Sequence, residues 1–236
     1  MLSTYKTILS QKTQLTSDVY LYDFDLIEPK EINFKAGQYL MIKITTDKGP
    51  VSRLYSIASS AAEKNSFELI IQIISGGLAS NYLSNLKVKD EIVFQGPAGM
   101  FRLKENDRPK IFLATGTGIA PVRSILKNFQ FSIFNFQLFW GLKNYQDVYL
   151  LDELKQFNPT ICLSREQNLG MISENDKKYF ELGHIDQCLE KQLENYGLRI
   201  TDYDFYLCGR REAVESLRLF LINKGVLQEN IYFEKF

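Results

Sequence analysis

A cation, an aromatic ring and a small hydroxyl group stand side by side in the run Arg53-Leu54-Tyr55-Ser56. Because side chains alternate along a strand, Arg53 and Tyr55 would share one face and the other two residues the opposite face. Arginine can form two charge-assisted hydrogen bonds to a pyrophosphate, and tyrosine can lay its ring on a flat heterocycle. The small serine can donate to a ring nitrogen without obstructing a second substrate. The alternative is an exposed strand that carries a surface arginine.

Glycines lead into a short helix in the run from Ser75 to Leu83. Gly76 and Gly77 precede Ser80, which stands at the start of a helix predicted over 80–86. Unpaired N–H groups at a helix start, together with the helix dipole, form a binding site for an anion such as phosphate. The alternative is that Ser80 merely caps its own helix.

A second glycine loop follows the apolar strand predicted at 111–114. It reads Ala-Thr-Gly-Thr-Gly-Ile-Ala-Pro at 114–121. Gly116 and Gly118 permit a tight turn and a close approach of the backbone to a phosphate. Pro121 occupies the first turn of the following helix, where proline is tolerated, and it replaces the third glycine of the GxGxxG fingerprint. The position between a buried strand and a helix favours nucleotide binding.

The length and composition of the 236-residue chain limit the classes of protein to which it can belong. It is long enough for one large domain or for two of about 100–130 residues. Lys plus Arg equals Asp plus Glu at 28 each, so the overall charge indicates neither nucleic acid nor an anionic membrane as partner. No membrane insertion is expected, because no apolar run is long enough to span a bilayer, and the N-terminus lacks the apolar core of a signal peptide.

The three cysteines, Cys162, Cys188 and Cys208, are far apart and odd in number. This usage fits a reducing compartment better than a disulfide framework, and the cytoplasm is the expected location. An intrinsic plant-type [2Fe–2S] centre is excluded, because it needs four thiolates with a close-spaced group. No metal site is predicted.

The first half of the chain is predicted to form a small antiparallel barrel. Short β-type runs alternate with Gly and Pro turns, which is typical of small barrels and sandwiches. The predicted strands lie at 19–26, 39–45, 53–58, 67–74 and 91–95, and the helix at 80–86 interrupts them.

The second half is predicted to form a parallel α/β sheet, with ligands at the carboxyl ends of its strands. The polar segment 104–109, which ends in proline, marks the boundary and gives domains at 1–104 and 109–236. The predicted strands lie at 111–114, 137–141, 160–163, 205–208 and 231–233, and the predicted helices at 121–128, 149–156, 185–195 and 212–224.

Four motifs in this order resemble the ferredoxin–NADP⁺ reductase superfamily. They are Arg-Leu-Tyr-Ser-Ile-Ala-Ser-Ser at 53–60, Ser-Asn-Tyr-Leu at 80–83, Gly-Pro-Ala-Gly at 96–99 and Thr-Gly-Thr-Gly-Ile-Ala-Pro at 115–121. The first and the last are especially similar to the plant-type reductases. The resemblance implies a Greek-key, FAD-binding antiparallel β-barrel at 1–104 and a Rossmann-like α/β domain for NAD(P) at 109–236.

The resemblance also implies which residues hold FAD. Arg53 would bind the pyrophosphate, Tyr55 would stack on the isoalloxazine beside Leu54, and Ser56 would hydrogen-bond near the flavin N5. Backbone groups of a strand would meet the flavin, and the first glycine loop would close over its phosphates. The residues of these two segments are Ile70, Ile71 and Gln72, and Gly77, Leu78, Ala79 and Ser80.

For the nicotinamide nucleotide, the resemblance implies a diphosphate held by the second glycine loop, with Thr115, Gly116, Thr117, Gly118 and Pro121. The pair Cys208-Gly209 would place a thiol beside the nicotinamide. The alternative for Cys208 is a small buried residue at a strand end.

The C-terminus departs from the plant-type pattern, because the chain stops earlier, at Phe236. This ending looks more like the reductase components of bacterial oxygenases. Phe236 would shield the flavin ring and Glu234 would lie near the nicotinamide; alternatively, they are a core residue and a surface charge.

Nucleotide choice depends on Ser164-Arg165-Glu166-Gln167, which matches the plant-type segment whose Ser and Arg contact the 2′-phosphate. This match favours NADPH over NADH, with Lys178 and Tyr179 as weaker candidate partners. NADH-using relatives can also carry Ser-Arg here, and the segment 183–186 departs from both patterns.

The implied activity is a hydride transfer between NAD(P)H and FAD, followed by release of single electrons. The nicotinamide C4 must lie about 3–3.5 Å from the flavin N5 for this transfer. We expect Ser56, Cys208 and Glu234 nearest the reacting atoms. No general base is required, so His184 is interpreted as a surface or loop residue.

Three functions compete for this chain, which we expect to be a monomer. The first expectation is a reductase whose acceptor is a separate ferredoxin or flavodoxin. The second is the reductase component of an oxygenase or a free-flavin reductase. The third is a non-catalytic flavin-binding electron-transfer or regulatory subunit; the subunit of dihydroorotate dehydrogenase is related, but it needs a cysteine cluster that this chain lacks.

Overall fold

The structure is a computed structural model that describes residues 2–46, 49–128 and 136–236. The chain divides into two compact units. The first unit contains residues 2–104 and 120–128, and the second contains residues 105–119 and 136–236. The segment from Ala120 therefore packs with the N-terminal unit, although it follows the first strand of the second unit.

The first unit is built on a curled, six-stranded antiparallel sheet in the order β4-β3-β6-β1-β2-β5. Its strands are β1 (Ser3–Gln14), β2 (Val19–Glu28), β3 (Tyr39–Thr46), β4 (Gly49–Ser56), β5 (Ser66–Gln72) and β6 (Glu91–Ala98), and helix α1 (Leu78–Asn85) lies between β5 and β6 in the chain. β6 returns to lie between β1 and β3, which gives the strand order of a Greek key. The predicted fold class is confirmed for this half.

Aromatic rings fill the barrel core. Phe24, Phe67 and Phe94 are fully buried. The ring of Phe94 meets those of Phe24 and Phe67 edge-on, with centroids 5.0 and 5.2 Å apart. Edge-to-face contacts of this kind are favourable, and burial of each ring contributes about 1.5–3 kcal/mol.

The longest strand, β1, is absent from the sequence predictions, which placed no strand before Val19. Its buried positions Tyr5, Thr7 and Leu9 do alternate. Two features hid the pattern: the apolar Ile8 lies between two inward positions and breaks the alternation of polar and apolar residues, and one inward position is polar. The Thr7 hydroxyl donates to the Ile92 carbonyl oxygen at 3.0 Å, which makes its burial tolerable.

The second unit contains a six-stranded sheet in the order β10-β9-β8-β7-β11-β12, and all of its neighbouring strands are parallel. The strands are β7 (Lys110–Thr115), β8 (Phe136–Leu142), β9 (Thr160–Leu163), β10 (Phe180–Leu182), β11 (Asp204–Gly209) and β12 (Ile231–Lys235). The helices after α1 are α2 (Ile119–Asn128), α3 (Leu151–Leu154), α4 (Ile185–Tyr196) and α5 (Arg211–Asn223). The predicted parallel α/β fold is confirmed.

Two elements of this unit differ from the sequence predictions. The predicted helix at 149–156 is a four-residue helix, α3, followed by a 3₁₀ turn at Lys155–Phe157. The three-residue strand β10 was not predicted, because so short a run carries no periodicity.

A buried charge cluster holds the start of the sheet. The carboxylate of Asp204, with no exposed surface, accepts hydrogen bonds from Asn106 Nδ2 and Arg108 Nε, each at 2.9 Å. Lys110 Nζ lies 3.3 Å from the same carboxylate and is also buried. Because an unpaired buried charge is costly, this cluster fixes the segment 105–109 at the beginning of β11.

None of the helices in the described part of the chain combines the length and the apolar character needed to cross a bilayer.

Candidate cofactor-binding sites

An opening lies between the two edge strands of the N-terminal sheet. β4 and β5 are the edges of the sheet, and an isolated antiparallel bridge joins Ile57, just after β4, to Leu69 in β5. Continuing antiparallel from this bridge, residues 53–56 face residues 70–73. No strand pairs with these two edges among the described residues, so backbone N–H and C=O groups of both strands point into the opening.

Arg53 and Tyr55 lie on β4 at this opening. They pair in register with Ile42 and Leu40, which are buried, so both share the sheet face that carries those residues. Tyr55 is half-buried and packs against the barrel core. Burial raises the pKa of Tyr55 to about 12, which keeps its phenol neutral at physiological pH.

Arg53 extends into solvent. Its Nη1 donates to the Ser52 carbonyl oxygen at 2.9 Å, and no carboxylate pairs with it among the residues that the structure describes. A solvated guanidinium without a counter-charge is available to an anion.

Exposed apolar side chains lie on the segments that border this opening. Leu54 is 54% exposed, Ile74 is 65% exposed and Leu78 is 52% exposed. Exposed apolar side chains and a cation at the border of the opening suit a ligand with a flat apolar ring and an anionic part. The residues present therefore fit FAD.

The first glycine loop is folded by Ser80. The Ser80 hydroxyl oxygen accepts the Ile74 N–H at 2.8 Å, and Gly77 N–H bonds back to the Ile74 carbonyl at 3.0 Å. Gly76 has a φ of +75°, and a Cβ there would meet nothing within 4 Å. The first N–H groups of α1, at Leu78 and Ala79, have no intrahelical acceptor, so the turn presents donors at the end of β5.

Two residues that the sequence reasoning missed hold the other end of α1. Lys12 Nζ donates to the carbonyl oxygens of Leu83, Ser84 and Leu86 at 3.3, 2.7 and 3.3 Å. Tyr22 also donates to the Leu83 carbonyl, at 3.0 Å. A cation is favoured at a helix C-terminus, so this anchor fixes the direction of α1. Nothing local in the sequence could reveal it, since the partners are more than 60 residues apart.

The second glycine loop interlocks with the end of β11. A Cβ on Gly118 would lie 2.2 Å from the Cys208 carbonyl oxygen and 2.7 Å from Gly209 Cα. Conversely, a Cβ on Gly209 would lie 2.1 Å from Thr115 Oγ1. The Thr115 hydroxyl oxygen accepts the Arg210 N–H at 3.2 Å. Only glycine fits at both positions, so the two motifs at 115–118 and 208–209 form one surface.

Two aromatic side chains of the second unit donate hydrogen bonds to this loop, and the sequence analysis identified neither of them. Trp140 Nε1 and the Tyr149 hydroxyl donate to the Gly116 carbonyl oxygen at 2.9 and 3.2 Å. Gly116 has a φ of +52°, and a Cβ there would face open space. The carbonyl is thereby turned into the protein and the opposite side of the loop is left clear. The structure confirms that Pro121 lies in the first turn of α2.

This surface lies at the topological switch point of the parallel sheet. The chain proceeds outward from β7 through β8, β9 and β10 and then returns to β11 on the other side of β7. Dinucleotides bind outside the carboxyl ends of the strands at such a point.

Cys208 and Glu234 are neighbours in register on β11 and β12. Burial, with a smaller contribution from the Glu234 carboxylate, raises the pKa of the Cys208 thiol well above its usual range. The thiol is therefore neutral and is not a thiolate nucleophile. Phe236 is 58% exposed, and its N–H and carbonyl bond to Gly209 and Arg211, each at 3.2 Å.

The loop after β9 carries the residues predicted to choose the nucleotide. The Ser164 hydroxyl donates to the Leu142 carbonyl at 3.2 Å, which ties the end of β9 to the end of β8. Arg165 is exposed, and its N–H bonds to the Lys143 carbonyl at 2.9 Å. Glu166 accepts the Tyr145 N–H at 2.9 Å, so its carboxylate is held within the second unit. His184 is exposed at the start of α4.

Comparison with protein families identifies both units. Residues 6–103 match the oxidoreductase FAD-binding domain, and residues 112–218 match the oxidoreductase NAD-binding domain. The chain belongs to the ferredoxin–NADP⁺ reductase superfamily. Its cofactors are therefore FAD and a nicotinamide nucleotide, and its activity is that of an NAD(P)H-dependent flavoprotein reductase.

Known members of the superfamily resemble the chain over nearly all of its length. The toluate 1,2-dioxygenase electron transfer component of Pseudomonas putida is 28% identical over 98% of this chain and 67% of its own length. Reductase component 1 of terephthalate 1,2-dioxygenase from a Comamonas species is 30% identical over 95% of this chain and 66% of its own length. The chain thus spans about two thirds of these relatives.

Among solved structures, a ferredoxin NADP⁺ reductase from Neisseria gonorrhoeae with bound FAD and NADP superposes with a TM-score of 0.81. It is 19% identical, and the match covers 99% of this chain and 98% of that one. At this identity the likeness establishes the fold.

The interlock at Gly118 gives a direct test of the nucleotide side. In Gly118→Ala, the methyl group would overlap backbone atoms, which cannot move as a side chain would, so the loop must shift. We expect kcat/KM for NAD(P)H-dependent reduction to fall at least about tenfold, since a displacement near 1 Å can cost about 100-fold. The ratio of bound FAD to protein should not change.

Gly197→Ala is the control, because Gly197 ends α4 and a Cβ there would meet nothing within 4 Å. It should leave kcat/KM within about twofold despite a local strain of roughly 1 kcal/mol. Wild-type kinetics in Gly118→Ala would contradict the assignment of the loop.

Proposed function

We propose that the chain is the reductase component of an oxygenase system, which oxidises NAD(P)H and passes electrons to a separate acceptor protein. The observation that carries this proposal is the opening between β4 and β5, two edge strands that an isolated bridge joins, with a solvated cation at its border. The curated relatives named above are electron-transfer and reductase components of dioxygenases, and they support this function better than that of a ferredoxin–NADP⁺ reductase.

We assign FAD to the domain at 1–104. Arg53 binds the pyrophosphate through its guanidinium, and the neutral ring of Tyr55 stacks beneath the flavin, with Leu54 at its border. The Ser56 hydroxyl donates near the reacting nitrogen. Backbone groups of Ile70, Ile71 and Gln72 bond to the ring edge, and the turn at Gly77, Leu78, Ala79 and Ser80 donates N–H groups to the phosphates.

We assign the nicotinamide nucleotide to the domain at 109–236. The clear side of the loop at Thr115, Gly116, Thr117 and Gly118 receives the diphosphate, and Pro121 starts the helix behind it. The neutral thiol of Cys208, with Gly209, adjoins the nicotinamide. Glu234 supplies a nearby carboxylate, and Phe236, exposed at the chain end, covers the flavin when nicotinamide is absent.

When bound, FAD accepts a hydride from NAD(P)H and releases electrons singly. The residues of this chain contribute orientation and exclusion of water. None of the roles assigned above requires a general base, which agrees with the exposed position of His184 away from the glycine loops in the sequence.

The acceptor is proposed to be a separate protein, with ferredoxin and flavodoxin as the first candidates. A function as ferredoxin–NADP⁺ reductase remains the second candidate, because the Neisseria gonorrhoeae enzyme matches over 98% of its own chain. We further propose a monomer in the cytoplasm, where the three buried free cysteines would stay reduced.

The proposed function is tested by anaerobic reduction followed by a choice of acceptor. The purified protein should be yellow, and NADPH or NADH should bleach it. Reoxidation should be fast with an oxygenase component or ferredoxin encoded beside this chain, and at least about tenfold slower with free FMN. A yellow protein that neither nucleotide reduces would instead support a non-catalytic flavin-binding subunit.

We propose NADPH as the preferred donor, with Arg165 as the partner of its 2′-phosphate and Ser164 beside it. An exposed arginine can form two bonds to a phosphate, and such charge-assisted bonds contribute about 1.5–3 kcal/mol. Arg165→Ala should therefore lower kcat/KM for NADPH by about tenfold or more and leave that for NADH within about twofold.

Arg199→Ala is the matched control. Arg199 is an exposed arginine of the same unit, bonded to Asp202, and has no proposed role. Its removal should leave the ratio of the two kcat/KM values unchanged. An Arg165→Ala variant that uses NADPH as well as the wild type does would refute this role.

A further inference from the structure

A buried arginine bonds α2 to other segments of the first unit. Arg123 lies in the helix that continues the second glycine loop, and it is 2% exposed. Its Nη1 donates to the Ala58 carbonyl oxygen at 2.9 Å and to the carboxylate of Glu68 on β5. Ala58 follows the strand residue Ser56 by two positions. One side chain therefore bonds both to the segment that continues β4 and to β5.

The end of α2 is bound to the same segment. Asn128 Oδ1 accepts the Ala61 N–H at 3.0 Å and the Ser60 hydroxyl at 3.3 Å. The Asn128 amide donates to the Ser124 carbonyl at 2.6 Å, which fixes its orientation. The helix is thus bonded at two points to residues 58–61, directly beyond the proposed flavin strand.

The positive charge of Arg123 also balances a group of nearby carboxylates. Asp23 faces Glu68 across β2 and β5, and burial together with the Glu68 carboxylate raises the pKa of Asp23 to about 6. Asp25 adds a smaller repulsion, and Lys127 Nζ lies 3.7 Å from the Glu68 carboxylate. Arg123 is the buried cation that opposes this group of carboxylates.

A buried ion pair contributes little to stability relative to apolar residues of similar size, because both charges must be desolvated. An aliphatic residue at position 123 would fill the space without that cost. What the arginine adds is a fixed geometry between three segments: the helix after the glycine loop, the continuation of β4, and β5.

We propose that Arg123 is a positioning residue that bonds α2 to the two edge strands of the proposed flavin site and so holds those strands where they place the flavin ring for hydride transfer. This inference rests on the proposed function. It concerns a residue outside both cofactor sites, and it predicts a change in the rate of transfer rather than in cofactor affinity.

The test is stopped-flow reduction of the FAD-loaded protein at saturating NADPH and NADH. Arg123→Gln should lower the limiting rate of flavin reduction by about 10- to 100-fold, the range expected for a misplacement near 1 Å. The Kd of FAD and the Kd of the nucleotide should change less than about threefold. Arg123→Lys, which keeps the charge but lacks the rigid planar fork of the guanidinium, should recover part of the rate.

Lys127→Gln is the matched control, since Lys127 lies on the same helix and approaches the same carboxylate from a more exposed position. Its limiting rate should stay within about threefold of the wild type. If Arg123→Gln fails to fold, Arg123→Gln combined with Glu68→Gln removes both charges, and the same measurements apply to it.

The outcomes separate the two claims. A wild-type protein that neither nucleotide reduces overturns the proposed function and this inference with it. A folded Arg123→Gln or double variant with wild-type limiting rates overturns this inference alone. A variant whose limiting rate and FAD affinity fall by the same factor also overturns this inference, because it would mean that Arg123 only stabilises the barrel.

Discussion

In the N-terminal sheet, a bridge between Ile57 and Leu69 joins the edge strands β4 and β5, and no ladder continues it among the described residues. The proposed chemistry depends on this incomplete closure of the sheet. Full pairing would satisfy every backbone group of β4 and β5 and leave no place for a ligand. Partial pairing leaves N–H and C=O groups directed at whatever occupies the opening. The aromatic core around Phe24, Phe67 and Phe94 supplies the stability that permits it.

In the second unit, the nucleotide loop is held in place by close backbone contact between two strand ends. Neither Gly118 nor Gly209 has room for a Cβ, so the ends of β7 and β11 fit closely together. The Gly116 carbonyl is held by Trp140 and Tyr149 on the protein side, which leaves the other side of the loop clear. A loop fixed in this way can bind a diphosphate with little loss of conformational entropy on binding.

The motifs and the fold class could be predicted because their signals are local. Apolar runs at 111–114 and 205–208 became β7 and β11, and the helices α4 and α5 lie within two residues of their predicted bounds. β1 could not be recognised, because its inward alternation includes the polar Thr7 and its outer face includes the apolar Ile8. The three-residue strand β10 is defined by its pairing with β9, and the residues around β10 in the sequence do not reveal that partner.

The supports of the candidate sites were harder still to predict. Lys12 reaches α1 across 71–74 residues of sequence, and Arg123 reaches Glu68 across 55. In the sequence, such residues look like ordinary solvated charges. Their roles follow from burial and from the acceptors they meet, and both are properties of the folded chain. The nucleotide- and flavin-binding residues themselves were named from motif order, and their roles remain predictions.

Hydrogen exchange on addition of FAD tests the central claim most directly, because it reports where the flavin protects the backbone. Apoprotein titrated with one equivalent of FAD should show amide exchange slowed by about tenfold or more in peptides covering 53–57, 70–74 and 76–80. Peptides from α4 should exchange as before. Stoichiometric FAD binding without protection of these three segments, or with protection centred on another part of the chain, would contradict the account.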